Sequence, residues 1–150
     1  ASMVAIAPVD PIFDHMRAFG IAMWNGGWTA AQWTTDDALA IMGVSRDEAE
    51  HVTEIVGGLI GFGFEHEHAL LFLGQWQAYA ERGAFKGPWD NRDGLASSDL
   101  RCLGHRHDQT VASVIASRMG VELISAPQWF SYWRDSPPFG KDVIMVAKGI

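Results

Sequence analysis

The stretch "TEIVGGLIGFGF", residues 53 to 64, constrains the fold more than any other part of the chain. It is β-branched and apolar, yet Gly57, Gly58, Gly61 and Gly63 interrupt it. Such a run reads as a buried strand whose backbone comes close to something else, whether packing neighbour or ligand. "EHEHALLFLGQWQAYAERG" follows directly and reads as the longest helix, with Phe72, Trp76 and Tyr79 on one face and Gly83 past its last turn.

The remaining punctuation places further elements around this pair. "APVDPIFDHMRAFG" predicts a short helix capped by Asp10, opened by Pro11 and stopped by Gly20, and "IAMW" has strand character. "NGGWTAAQWTTDDALAIMG" reads as a loop that enters a helix through Thr34 or Thr35 and ends at Gly43. Ser45 with Glu48 three places on is a capping box for another short helix. Residues 84–104 are loop-like and long enough to suggest function. A helix is expected from Asp108 to Met119, with Val111, Ala112, Ile115, Ala116 and Met119 on its buried stripe and Gly120 behind it. "VELISA" reads as a short strand, "PQWFSYWRDSPPFG" as an aromatic loop and "KDVIMVAKG" as a last strand. Helices and strands alternate, which favours α/β layers.

Charge narrows the partners. The 150 residues carry a net charge of -7, with no Lys/Arg cluster to neutralise phosphates, so neither nucleic acid nor an anionic membrane is an expected partner. The longest apolar stretch, "IVGGLIGFGF", is half a membrane span. Cys102 is the one cysteine, so no internal disulfide forms and a reducing, cytoplasmic setting is the simplest expectation.

Six histidines raise the question of metal, because His66 with His68 and His105 with His107 make two HxH pairs. Residues i and i+2 share a face only in extended chain and point about 200° apart on a helix. The first pair falls at a helix start, where polar first-turn residues are the better reading. The second precedes its helix, so it can be extended, and Asp108 could add an oxygen ligand or act as the helix cap. Cys102 has no nucleophile turn around it, and no glycine loop of a phosphate-binding type occurs. Of seven tryptophans, Trp76 reads as core, whereas Trp24, Trp28, Trp33, Trp89, Trp129 and Trp133 lie in or near predicted loops, where flat rings can stack on sugars.

Taken together, "VGGLIGFGF", "FLGQWQAYAERGAFKGPW" and "GHRHDQTVASVIASRMGVEL" resemble the later half of a nucleotide-sugar glycosyltransferase of the GT-A fold, of the glycogenin-like and lipopolysaccharide-galactosyltransferase-like kind. The resemblance covers roughly residues 53 to 124. It implies an α/β, partial GT-A-like mixed sheet flanked by helices, with residues 1–150 forming a single domain or the C-terminal part of a longer transferase. By that likeness Asp108 would accept hydrogen bonds from donor-sugar hydroxyls, and Gln109 would sit near the anomeric carbon. Gly57, Gly58, His105, His107, Trp89 and Trp129 would line the substrate, with His107 a candidate metal ligand.

The implied reaction moves a sugar from a nucleotide sugar to a glycan or polar acceptor, with Mn²⁺ or Mg²⁺ neutralising the leaving diphosphate. The chain departs from the pattern in having no D-x-D, for which "TDDA" and "DNRD" are not substitutes, so a truncated transferase is expected. A half-domain would leave a sheet edge and an apolar face open, and self-association would follow. Two other classes stand beside this one: a non-catalytic carbohydrate- or partner-binding domain using loop tryptophans, and a small metalloenzyme built on His105, His107 and Asp108.

Overall fold

A computed structural model describes residues 2–125, 128–132 and 141–148. In chain order these form β1 (Ser2–Ala5), α1 (Asp10–Phe19), β2 (Ile21–Thr29), a 3-10 turn (Ala30–Gln32), α2 (Asp36–Met42), α3 (Arg46–Ala49), β3 (Thr53–Phe62), α4 (Glu67–Glu81), α5 (Asp108–Arg118), β4 (Trp129–Tyr132) and β5 (Val143–Lys148). The class is mixed α/β, as the alternation of elements predicts.

Two small sheets carry the fold. β2 and β3 pair antiparallel, and the register slips between Met23 and Asn25 and again between Asn25 and Thr29. The second sheet runs β1-β5-β4, with β1 antiparallel and β4 parallel to β5, and is therefore mixed. The central pair is buried on both faces over residues 21–24 of β2 and 54–56 of β3, while the rest of each strand is half-buried or exposed. Ile21, Met23 and Ile55 belong to one core with α2, α4 and α5, while their neighbours Ala22, Trp24 and Val56 belong to a second core with Ile124, Phe130 and Ile144. Successive strand residues point to opposite faces, so one short ribbon serves both layers.

Local signals act as expected at several ends. Thr35 caps α2 through a bond from the Ala38 amide, Gly43 closes it in the left-handed region, and Ser45 and Glu48 complete the reciprocal capping box of α3. At the other two predicted caps the position moves by one. Asp10 and Asp108 are the first residues of their helices, and the caps are Val9 and His107, neither with a side-chain bond. The aspartates thus act through the favourable field of a helix start and not by capping.

Four further expectations change. "NGGWT" continues β2 through its bulges, because glycines there let the strand approach its neighbour: a Cβ on Gly26 would lie 2.8 Å from the Glu54 carbonyl. "VELISA" makes only a single parallel bridge, Ile124 to Trp24, within its described residues. Trp129–Tyr132, read as loop, is strand β4, and residues 2–5, outside every predicted element, form β1, each finding its partner in β5. Finally, α5 is buried from Thr110 through Ala116 and not along one stripe, since it lies between β3 and α4. Among the described residues no helix is long and apolar enough to cross a membrane.

Candidate functional site

Where the bulged end of β2 meets the start of α5, a cleft of about 380 Å³ opens to the surface. Gly26 and Trp28 from β2, Trp33 after the 3-10 turn, Ile55 and Val56 from β3, Trp89 from the long loop, and Arg106 and Gln109 from the entry to α5 line it. This is the lower end of the roughly 300–1,000 Å³ typical of small-ligand sites, so it suits one small ligand. Trp28 meets Trp33 edge to face at 5.9 Å, and half of each of Trp28 and Trp89 stays in solvent. The Arg106 guanidinium lies between two indoles, 3.6 Å from the Trp33 ring centre and 4.0 Å from that of Trp89.

The loop that delivers Trp89 has no helix or strand, yet it is firmly tied. The Asn91 side chain donates to the carbonyls of Ser97 (2.8 Å) and Cys102 (3.1 Å) and accepts from the amides of Ala96 (2.9 Å) and Ser97 (3.1 Å). The backbone then zips onto the 3-10 turn, Leu103 donating to the Gln32 carbonyl (2.7 Å) and Arg106 to that of Trp33 (3.1 Å). A Cβ on Gly104 would collide with the Trp89 carbonyl, so glycine permits this return.

The residues named from sequence divide into those at the cleft and those away from it. Gln109 is at its floor: its amide donates to the Ile55 carbonyl at 2.8 Å, and its side chain fills the space beside Gly57 that a Cβ would need. Gly58 faces open space. Trp89 is a wall, and His107 stands behind it with ring centres 5.6 Å apart. Asp108 is exposed and adjacent to Gln109, but is not among the lining residues. Its carbonyl accepts from the Trp76 indole at 3.0 Å, which fixes α5 to α4.

His105 is fully buried, its Nε2 donating to the Ala84 carbonyl at 2.9 Å, so its ring cannot touch a substrate in this arrangement. Burial holds it below the ordinary imidazole range. Trp129 lies in the second core, edge-on to His15 at 5.6 Å, away from the cleft. Trp24 is wholly buried, with its indole donating to the Gln128 carbonyl at 2.9 Å. Trp133 is outside the described residues.

Neither HxH pair is a chelate. His66 and His68 donate through Nε2 to the carbonyls of Arg17 and Phe19, each at 2.8 Å, and so close the C-terminal end of α1. His107 gives its Nε2 to the Gly87 carbonyl at 3.0 Å and adopts φ 51°, a left-handed backbone uncommon for a residue with a side chain. Among the described residues no three His, Cys, Asp or Glu side chains gather around a common point. A divalent metal therefore finds no complete ligand set among them.

Two ionisable groups here were not singled out by the sequence, one lining the cleft and one buried next to its lining residue Ile55. Arg106 is one, hidden between two histidines that draw attention to themselves. Glu54 is the other, 1% exposed beside Ile55. Desolvation raises its carboxyl from 4.5 to about 8, against hydrogen bonds from Thr110 and Ser113 and the charge of Arg106. Geometry agrees. The Thr110 hydroxyl lies 2.7 Å from the Trp33 carbonyl and 2.9 Å from Glu54 Oε1, and it has one proton. Both contacts are satisfied when protonated Glu54 donates to Thr110 and Thr110 donates to the carbonyl.

No protein-family profile, no curated protein and no solved structure matches the chain.

Proposed function

We propose that this chain carries the sugar-handling part of a nucleotide-sugar glycosyltransferase site. The observation that supports this reading best is Gln109, held against Gly57 at the floor of a cleft walled by Trp28, Trp33 and Trp89. Gln109 gives one amide N–H to the Ile55 carbonyl, which orients its Oε1 as an acceptor beside Gly57 and next to the open backbone of Gly58. A transferred sugar would rest on that backbone, orient through Gln109 and offer hydroxyls to exposed Asp108. The start of α5 favours negative charge nearby, as a departing diphosphate requires. The resemblance also implies a divalent ion at that diphosphate. Isothermal titration with a panel of nucleotide sugars in Mn²⁺ tests the reading: heat that disappears in Gln109→Ala supports it, and silence across the panel removes it.

The three tryptophans also favour a second reading, a glycan-binding module without chemistry. Binding of free glycans that ignores chelator and is lost in Trp89→Ala would select it over the first.

A further inference from the structure

We propose that the cleft takes a sugar bearing an oxyanion, a carboxylate or a phosphate, with Arg106 as the counter-ion and the tryptophans as the wall for the ring. This deepens the sugar reading of the cleft and rests on it.

Three observations lead here. Both faces of the Arg106 guanidinium are covered, by Trp33 at 3.6 Å and Trp89 at 4.0 Å, so a ligand can meet it only along its edge. Edge-on approach is the geometry in which guanidinium binds carboxylate or phosphate with paired hydrogen bonds. The side chain uses one protein acceptor, the Trp89 carbonyl at a long 3.3 Å, although a guanidinium has five N–H groups. Lastly, among the described residues no carboxylate forms an ion pair with it; Arg82 and Arg118 also lack one, but they bond to the Ile41 carbonyl (2.5 Å) and to the Tyr79 hydroxyl (2.9 Å) and Gly43 carbonyl (3.0 Å).

Arg106 lines an open cleft with its remaining donors left to solvent, where a ligand oxyanion can take the place of water. The carboxyl that could neutralise it from within, Glu54, is bonded to the Thr110 hydroxyl and forms no ion pair with Arg106. In a chain of net charge -7, this makes the cleft a local positive site on an acidic molecule. A neutral sugar would fill the aromatic wall but leave the guanidinium edge to water.

The oxyanion has two sources, a uronic acid or the phosphate of an activated sugar, and the experiment separates them. Glucose and galactose, their uronic acids, their 1-phosphates and inorganic phosphate are titrated at low salt into the unmodified protein, following tryptophan fluorescence. For at least one sugar the acid or the 1-phosphate should bind about tenfold or more tightly than the neutral hexose, and whichever of the two binds tighter names the source. In Arg106→Gln the advantage should vanish, and in Arg106→Lys part of it should return. The comparison on the unmodified protein stands even if the glutamine variant does not fold. Equal affinity for neutral and acidic sugars overturns the charge assignment and leaves the sugar cleft standing. Inorganic phosphate binding as tightly as the 1-phosphates, or no binding at all, overturns the inference together with the sugar reading.

Discussion

The side chain of Gln109 occupies the space that a Cβ on Gly57 would fill, so the strand and the helix that meet at the cleft are matched residue to residue. Gly57→Ala forces the Gln109 amide away from the Ile55 carbonyl. Losing that hydrogen bond costs about 0.5–1.5 kcal/mol, read as a lower melting temperature, and nucleotide-sugar binding should weaken with it. Adding Gln109→Ala should restore part of the stability but not the binding. Strict additivity of the two substitutions in a double-mutant cycle would show that they do not act on each other.

Glu54 makes stability depend on pH in a stated direction. Its folded carboxyl titrates at about 8 against an ordinary 4.5, so between those values the folded protein holds a proton that the unfolded chain has released. Stability is then fully present below about 4.5 and falls as pH rises towards 8, by up to about 1.4 kcal/mol per pH unit. Glu54→Gln keeps a donor for Thr110 and has no proton to lose. Chemical denaturation at pH 5 through 8 should show a decline in the unmodified protein and a flatter line in the variant. Parallel lines would mean that Glu54 is ionised throughout.

Asn91 is the knot of the long loop. Asn91→Ala removes the four hydrogen bonds that its side chain makes and leaves the carbonyls of Ser97 and Cys102 to find other partners, a loss of about 2–3 kcal/mol. Limited proteolysis should cut within 91–102 much sooner than in the parent. Because Trp89 rides on the same segment, sugar affinity should fall as well. An unchanged cleavage pattern would place the loop's order elsewhere.

These features were not equally legible from sequence. Thr35, Ser45 and Gly43 act through neighbours within a few positions, so their roles follow from local chemistry alone, and the strand at 53–62 and helix at 67–81 follow from pattern. Gln109 entered through a resemblance and does lie at the cleft. What escaped depends on distant partners. β1 and β4 are short, and each becomes strand by pairing with β5. Trp24 ends the predicted strand "IAMW" beside a predicted loop, and its burial follows only once β2 continues past it and the second core covers it. A glutamate in an apolar strand reads as its exposed edge, yet Glu54 is buried because Thr110, 56 positions later, supplies its partner. Arg106 is defined by two rings, 73 and 17 positions before it, and no local pattern announces that sandwich.

The histidines that suggested metal have a different consequence. His66, His68, His105 and His107 each present Nε2 to a main-chain carbonyl, which can only accept, so all four imidazoles are tautomer-locked with hydrogen on that atom. A reagent that modifies His66 and His68 at Nε2 would therefore loosen the clasp that joins α1 to α4.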